Sequence, residues 1–463
     1  MGALPDQKLQ IVRTLVETAP DQVVSSLQMA LASAGGDPAL ADVRRLVENE
    51  AADRRLRNAV LSPVVPFFRA GPRPTYGMAF PPRALSMIWR GLKEEAPAEV
   101  AVASRALVDF RPDESSPEPF DDLVDIAAHG LRTARQKDYV AAIALLDGVA
   151  PGTARNLLAC LDLAPLVRSS AIRLPDWVNR MTEERATAAR LAYRDAVDAA
   201  PDSGPRFFEM LAAQLAQPWN ILRVISAVMD RPSERYLRDC ELATFAERLM
   251  DEIDANLKSV ITFSLDTGVE GGMRAGALVE LVTLQIAELE KGVELVKEGG
   301  WGGRIHKQKR GLADGVEGRL RDLEKVIGQA LPTQSMRIAR MVKQAPKIIG
   351  EPDAKAVNRA MSLLTFTESV RTSANYGGFA SMRSKTVKEL AEVVDAYVEE
   401  VLALIKDQEV SDPQLAGRYL EIAAAVTSLL QDSRVADIIR RRANSALAMG
   451  SDVGLEAPRA ESA

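Results

Sequence analysis

The chain has 463 residues, 47% of them hydrophobic, 26% charged and 5% aromatic, and its 58 Lys and Arg against 64 Asp and Glu give a formal charge of −6. That length exceeds one small core, an aliphatic and aromatic-poor composition excludes a fold built mainly of β-sheet, and the acidic balance speaks against a dedicated nucleic-acid binder. Cys160 and Cys240 are the only cysteines, which excludes a disulfide framework and a cysteine-based zinc site.

Residues 5–60 read as three helices. Ile11 and Leu15, then Val23, Val24, Leu27 and Leu31, fall at helical spacing, with breaks at Pro20-Asp21 and Gly35-Gly36-Asp37-Pro38. Residues 61–83 carry six prolines among Phe67, Phe68, Tyr76 and Phe80. Pro63-Val64-Val65-Pro66 fits a PxxP pattern, so Pro63, Pro66, Phe67, Phe68 and Tyr76 form a candidate partner-docking loop; the competing reading is a loop pinned over the core by its phenylalanines. Helices resume at 82–95 and 97–109. The polar, acidic, proline-rich segment 111–119 is a predicted linker. Shorter helices follow at 120–135, 137–147, 151–162 and 174–199, with breaks expected at Pro165 and Pro175. Residues 202–265 are strongly apolar and predict the main buried core.

The sharpest local anomaly lies farther on. Val279, Val282, Ile286, Leu289, Val293 and Val296 are spaced 3, 4, 3, 4, 3, one stripe of a long helix. Gly299-Gly300-Trp301-Gly302-Gly303 is expected to stop it. A second helix is expected from about Gly311, with Leu312, Val316, Leu320, Leu323 and Ile327 on its apolar side. The two predict a helical hairpin whose flexible tip carries Arg304, Lys307, Lys309 and Arg310. Pro332 suits the first turn of a further helix bearing Arg337, Arg340 and Lys343. Over 299–350 eleven Lys and Arg stand against four Asp and Glu, the reverse of the chain as a whole. Near 380–406, Val387, Leu390, Val394, Tyr397, Val401 and Leu404 repeat the 3, 4, 3, 4, 3 spacing.

The predicted fold is therefore all-α, a multi-helix array with a C-terminal bundle of long antiparallel helices. Its predicted divisions are an N-terminal helical subdomain (1–110), the linker 111–119, a helix-pair middle (120–265), a long-helix bundle with a basic tip (266–449) and a disordered tail (450–463). No signal peptide, membrane span, or HExxH, GxSxG, CxxC, P-loop or GxGxxG context is visible, so no catalytic residue, metal or cofactor is expected and the cytoplasm is the expected location. His129 and His306 are far apart in sequence. The candidate binding residues are Trp301, Arg304, Lys307, Lys309, Arg310, Arg337, Arg340 and Lys343. They predict a non-enzymatic interaction or scaffold protein that meets the acidic surface of another protein. Two other classes stay open: a helical enzyme with a carboxylate and arginine site in an inter-helix cleft, and a binder of nucleic acid or anionic membrane surface. Self-association through the heptad-like seams is also open.

Overall fold

The computed structural model describes residues 6–33, 40–70, 78–111, 117–200, 202–229, 232–338 and 341–452. The fold is all-α: among the described residues there are twenty helices and one two-stranded antiparallel ribbon. None of these helices is long and apolar enough to cross a membrane. The chain divides into two compact units, Met1–Phe245 and Ala246–Ala463.

In the first unit, α1 (Asp6–Thr18) and α2 (Asp21–Ser33) lie on α3 (Ala41–Val60). Their shared core is small, with Val16, Val24, Leu31, Val47 and Ala51 buried. The remaining helices are α4 (Pro82–Glu95), α5 (Pro97–Asp109), α6 (Glu118–Thr133), α7 (Lys137–Val149), α8 (Thr153–Asn179), α9 (Glu183–Ala199), α10 (Ser203–Ala212), α11 (Ile221–Val228) and α12 (Glu234–Arg238). α4 packs on α6 and α7, α6 on α8, and α8 on α9 and α10. The expected breaks at Pro165 and Pro175 do not occur, because α8 runs through both. Each proline costs a helix roughly 3 kcal/mol. Here Leu157, Cys160, Leu161, Ala164, Val167, Leu174 and Trp177 form one continuous buried face, and that burial offsets the loss.

α13 (Ala243–Thr262) carries the chain into the second unit, followed by α14 (Gly268–Gly292), α15 (Gly300–Ala330), β1 (Thr333–Ile338), β2 (Met341–Pro346), α16 (Ala354–Ser369), α17 (Ala374–Gly377), α18 (Ala380–Lys406), α19 (Pro413–Leu430) and α20 (Ser433–Asp452). The core joins Leu323 and Ile327 of α15, Leu363 and Leu364 of α16, Val394 and Val401 of α18, and Leu420 and Ala424 of α19. α14 lies chiefly along α16 rather than folding back on α15, so the expected hairpin of these two helices is replaced by an α14–α16 pair. Glycine explains the choice. Gly268, Gly272 and Gly276 recur every fourth residue and face α16, where a Cβ on Gly272 would stand 2.1 Å from the Ser362 carbonyl oxygen. Only a helix without side chains there can come so close.

The helix expected after Pro332 is instead the ribbon β1–β2, with Thr333 opposite Pro346 and Ser335 opposite Gln344. Gln344 Nε2 donates to Ser335 Oγ across the strands at 3.0 Å, and Lys347 N donates to Pro332 O at 2.8 Å. Pro346 disfavours a helix in the residue before it, and Thr333, Ile338 and Val342 are β-branched, so strand wins over a weak helical pattern.

Arginines tie the helix ends. Arg54 makes four hydrogen bonds to the C-terminal end of α1 and the residues just after it, including Val16 O at 2.9 Å, Ala19 O at 2.8 Å and Asp21 Oδ1 at 2.7 Å, and a fifth to Glu50 of its own helix. Arg168 donates to Ala59 O and Val60 O at the end of α3, at 2.8 and 2.6 Å. Arg319 donates to the carbonyls of Ile261 and Phe263 at the end of α13 and lies over the Phe263 ring. Carbonyls left open at a helix C-terminus favour a cationic donor, and guanidinium offers several N–H groups at once.

Candidate functional site

The basic run of the sequence is helical. Gly299 and Gly300 take left-handed backbone angles, φ +81° and +53°, and a Cβ on Gly302 would collide with Val296 O. The glycines thus turn the chain sharply and start α15 at Gly300, eleven residues before the expected start at Gly311. This corrects the flexible tip: Arg304, Lys307, Lys309 and Arg310 sit on the first three turns of an ordered helix. Trp301, Ile305, Gln308, Leu312 and Val316 form its buried side. Trp301 is therefore a packing residue and offers no ring for an incoming base.

The four cations divide into two pairs. Arg304 bridges to α13, with Nη2 2.6 Å from Asp251 Oδ1 and Nε 3.1 Å from Asp254 Oδ2. A cation close behind the positive end of a helix is disfavoured, and these two carboxylates offset that. Beside it, buried Gln308 donates through Nε2 to Met250 O and to Asp254 Oδ1, both at 2.8 Å. Lys309 lies 3.1 Å from both oxygens of Glu290, which also accepts the Tyr376 hydroxyl, and its Nζ is 4.5 Å from the Tyr376 ring centroid. Burial and Glu290 together push the Tyr376 phenol well above its ordinary value. Arg304 and Lys309 thus fasten α15 to α13, α14 and α17.

Glu252 leaves the same turn of α13 on another side and accepts from Gln285 Nε2 of α14 at 2.9 Å. Asp251, Glu252 and Asp254 of α13 therefore hold helices together. Burial raises the Glu252 carboxyl above its ordinary 4.5, against the lowering by Gln285. The stability this group contributes is full below about 4.5 and is lost as pH rises through the raised folded value. Glu252→Gln keeps an acceptor for Gln285 and removes the charge. It is expected to leave neutral-pH stability unchanged or higher and to flatten this part of the pH profile, measured by urea unfolding between pH 4 and 8; a clear loss at neutral pH would contradict a desolvated carboxylate. Glu252→Ala, which strands the Gln285 amide, is expected to cost about 1–3 kcal/mol.

Lys307 and Arg310 belong to the outer side of α15. Lys307, Arg310, Asp314, Glu317, Arg321 and Glu324 are spaced 3, 4, 3, 4, 3, one stripe turned away from the buried face. Arg321 pairs with Glu317 at 3.2 Å, and Arg310 reaches Asp314 only at 4.0 Å with both side chains largely exposed. Lys307 has no ion pair among the described residues. The stripe leads into a groove of about 420 Å³ between α15 and α18, lined by the apolar Leu320, Met382, Leu390 and Val393 and by the charged Arg321, Glu324, Lys385 and Glu389.

The other sequence candidates lie on other elements. Arg337 and Lys343 lie on the ribbon, opposite Val342 and Met336 respectively, instead of on one helix face; Arg340 lies outside the described residues. In the proline-rich loop Pro63 and Phe67 are buried, Phe67 packs edge-on against Phe80 at 6.2 Å, and Pro66 and Phe68 are partly buried; Tyr76 lies outside the described residues. His129 and His306 are both exposed. The Cys160 thiol is buried beside Met78 and pushed up to about 12 by that burial, which leaves it protonated and inert. Among the described residues no group of three or more His, Cys, Asp or Glu side chains is arranged to hold a metal ion. Compared with known proteins, the chain matches no family model, no curated sequence and no solved structure.

Proposed function

We propose that the chain is a helical protein-interaction scaffold whose binding element is the outer stripe of α15 and the groove it enters. One observation carries this reading: of the four clustered cations, Arg304 and Lys309 are held by the fold, while Lys307 and Arg310 face solvent. The partner that fits is a protein presenting an amphipathic helix. Its acidic residues would meet Lys307 and Arg310, and its apolar side chains would take the groove beside Met382 and Val393. From Lys307 to Arg321 is fourteen residues, about 21 Å of helix, so a partner helix of roughly four turns spans the surface. Such recognition joins an apolar anchor to charges that steer approach.

The test is affinity capture with the tagged intact chain, nuclease-treated, against the double reversal Lys307→Glu/Arg310→Glu. Because neither side chain holds the fold, circular dichroism and the unfolding midpoint are expected to stay unchanged. Recovery of the protein partner is expected to fall roughly tenfold or more, since favourable pairs become repulsive ones. Undiminished recovery, or loss of nucleic acid or lipid alone, would overturn the reading.

A further inference from the structure

A second surface lies at the N-terminus. α1 and α2 each bury one apolar stripe on α3, through Val16, Val24 and Leu31. Each carries another beside it that the fold leaves in solvent: Ile11 is 56% and Leu15 63% exposed on α1, and Val23 is 50% and Leu27 36% exposed on α2. The polar residues on the α1 stripe do not interrupt it. Thr14 Oγ1 donates to Gln10 O at 3.0 Å and Thr18 Oγ1 to Thr14 O at 2.8 Å, so both hydroxyls turn back on their own helix and leave methyl groups outward. On α2 no charged residue occurs from Gln22 to Ser33, although a quarter of the chain is charged. An exposed helix normally places charges on its outer side, and an apolar patch of this kind marks an interface.

We infer that these two stripes pair with the same stripes of a second copy of the chain, forming a symmetric dimer. Charge points to this occupant. At a two-fold interface each region meets itself, so any charge near the axis faces its own like; residues 11, 14, 15 and 18 of α1 and 23, 26, 27 and 30 of α2 are all uncharged. An acidic or basic partner would gain nothing there. Size agrees as well. Two 13-residue helices are each about 20 Å long and about 10 Å wide. Together that is a flat footprint of about 400 Å², roughly half of the about 800 Å² per partner of a standard interface, which fits a weak dimer. The dimer should therefore be of micromolar strength. It would also add an apolar layer to a three-helix core in which few side chains are buried.

Sedimentation velocity on the intact chain between about 1 and 100 μM tests this. The unaltered chain is expected to shift from monomer to dimer across that range. Leu15→Glu and Leu27→Glu, both exposed in the monomer and so compatible with folding, are each expected to weaken dimerisation at least tenfold with an unchanged circular dichroism spectrum. A chain that stays monomeric at 100 μM overturns the proposal, as does a dimer that both variants leave intact. Binding of the monomer to phosphatidylcholine vesicles, lost in both variants, would assign the stripes to a lipid surface and overturn it too.

Discussion

Gly272→Ala is expected to destabilise the second unit by at least about 3 kcal/mol. The added methyl would lie 2.1 Å from the Ser362 carbonyl oxygen and 3.1 Å from Phe366 N. Both obstacles are backbone, so no rotamer change can relieve them and α14 and α16 must separate. Separation also loosens the neighbouring contacts of Gly268 with Asn358 and Gly276 with Ser369. For a unit of this size the unfolding midpoint should fall by roughly 6–12 °C. Gly311→Ala is the control. It is also helical, but nothing lies within 4 Å of its Cβ position, so helix propensity alone acts and the variant should gain about 0.5–1 kcal/mol. Thermal unfolding followed by circular dichroism decides the matter. Equal effects at the two sites would contradict the close α14–α16 contact.

Arg168→Met should cost the first unit about 3–5 kcal/mol. The guanidinium is buried where α3, α6 and α8 meet. Its Nε donates to Asp121 Oδ1 at 3.0 Å, and its other N–H groups serve Ala59 O, Val60 O and Ser62 Oγ. Burial lowers its pKa from the ordinary arginine value, with Asp121 acting the other way. Methionine fills similar space without donors, so the α3 carbonyls and the Asp121 charge lose their partner together. Arg168→Lys keeps the charge but not the planar fork, and recovers only part of the loss. Arg105→Met, which removes an exposed arginine bonded among the described residues only to Ala101 O of its own helix, should stay within about 0.5 kcal/mol. Denaturant unfolding of the three variants would show it, and a loss below about 1 kcal/mol for Arg168→Met would mean that the cap is not holding these helices.

Helix positions were legible along most of each unbroken apolar period, although the stripe that the spacing carried on to Val293 and Val296 outruns α14, which ends at Gly292, and leaves Val296 exposed. Val279, Val282, Ile286 and Leu289 are buried on α14, and Leu390, Val394, Tyr397 and Val401 on α18; in both cases the 3, 4 spacing alone placed them. The start of α15 was hidden by its glycines, whose low helix propensity outweighs the signal in a short window. Yet Trp301, Ile305 and Gln308 extend the stripe of Leu312 and Val316 backward at helical spacing, and that continuation is the mark of a helix. The ribbon was misread because a segment as short as Met336–Val342 fits both periods. The arginine caps lay beyond sequence reasoning, since the carbonyls that Arg54 and Arg168 serve belong to distant helices. The division of the basic run had the same cause: Asp251, Asp254 and Glu290 choose Arg304 and Lys309 over Lys307 and Arg310 through tertiary packing, which spacing does not encode. Ile11, Leu15, Val23 and Leu27 followed a helical period as core residues do, and the fold leaves them outside.

Hydrogen–deuterium exchange across residues 299–312 of the intact chain is the most direct test of the surface proposed to bind. If α15 begins at Gly300 and is fastened by Arg304 and Lys309, amides from Arg304 onward should be protected nearly as well as those of Leu320–Ile327. Arg304→Gln/Lys309→Gln should release that protection, while Lys307→Glu/Arg310→Glu should leave it intact. Exchange at unstructured-peptide rates over the whole run in the unaltered chain would contradict the account, because Lys307 and Arg310 would then sit on a loose loop with no fixed face to offer a partner.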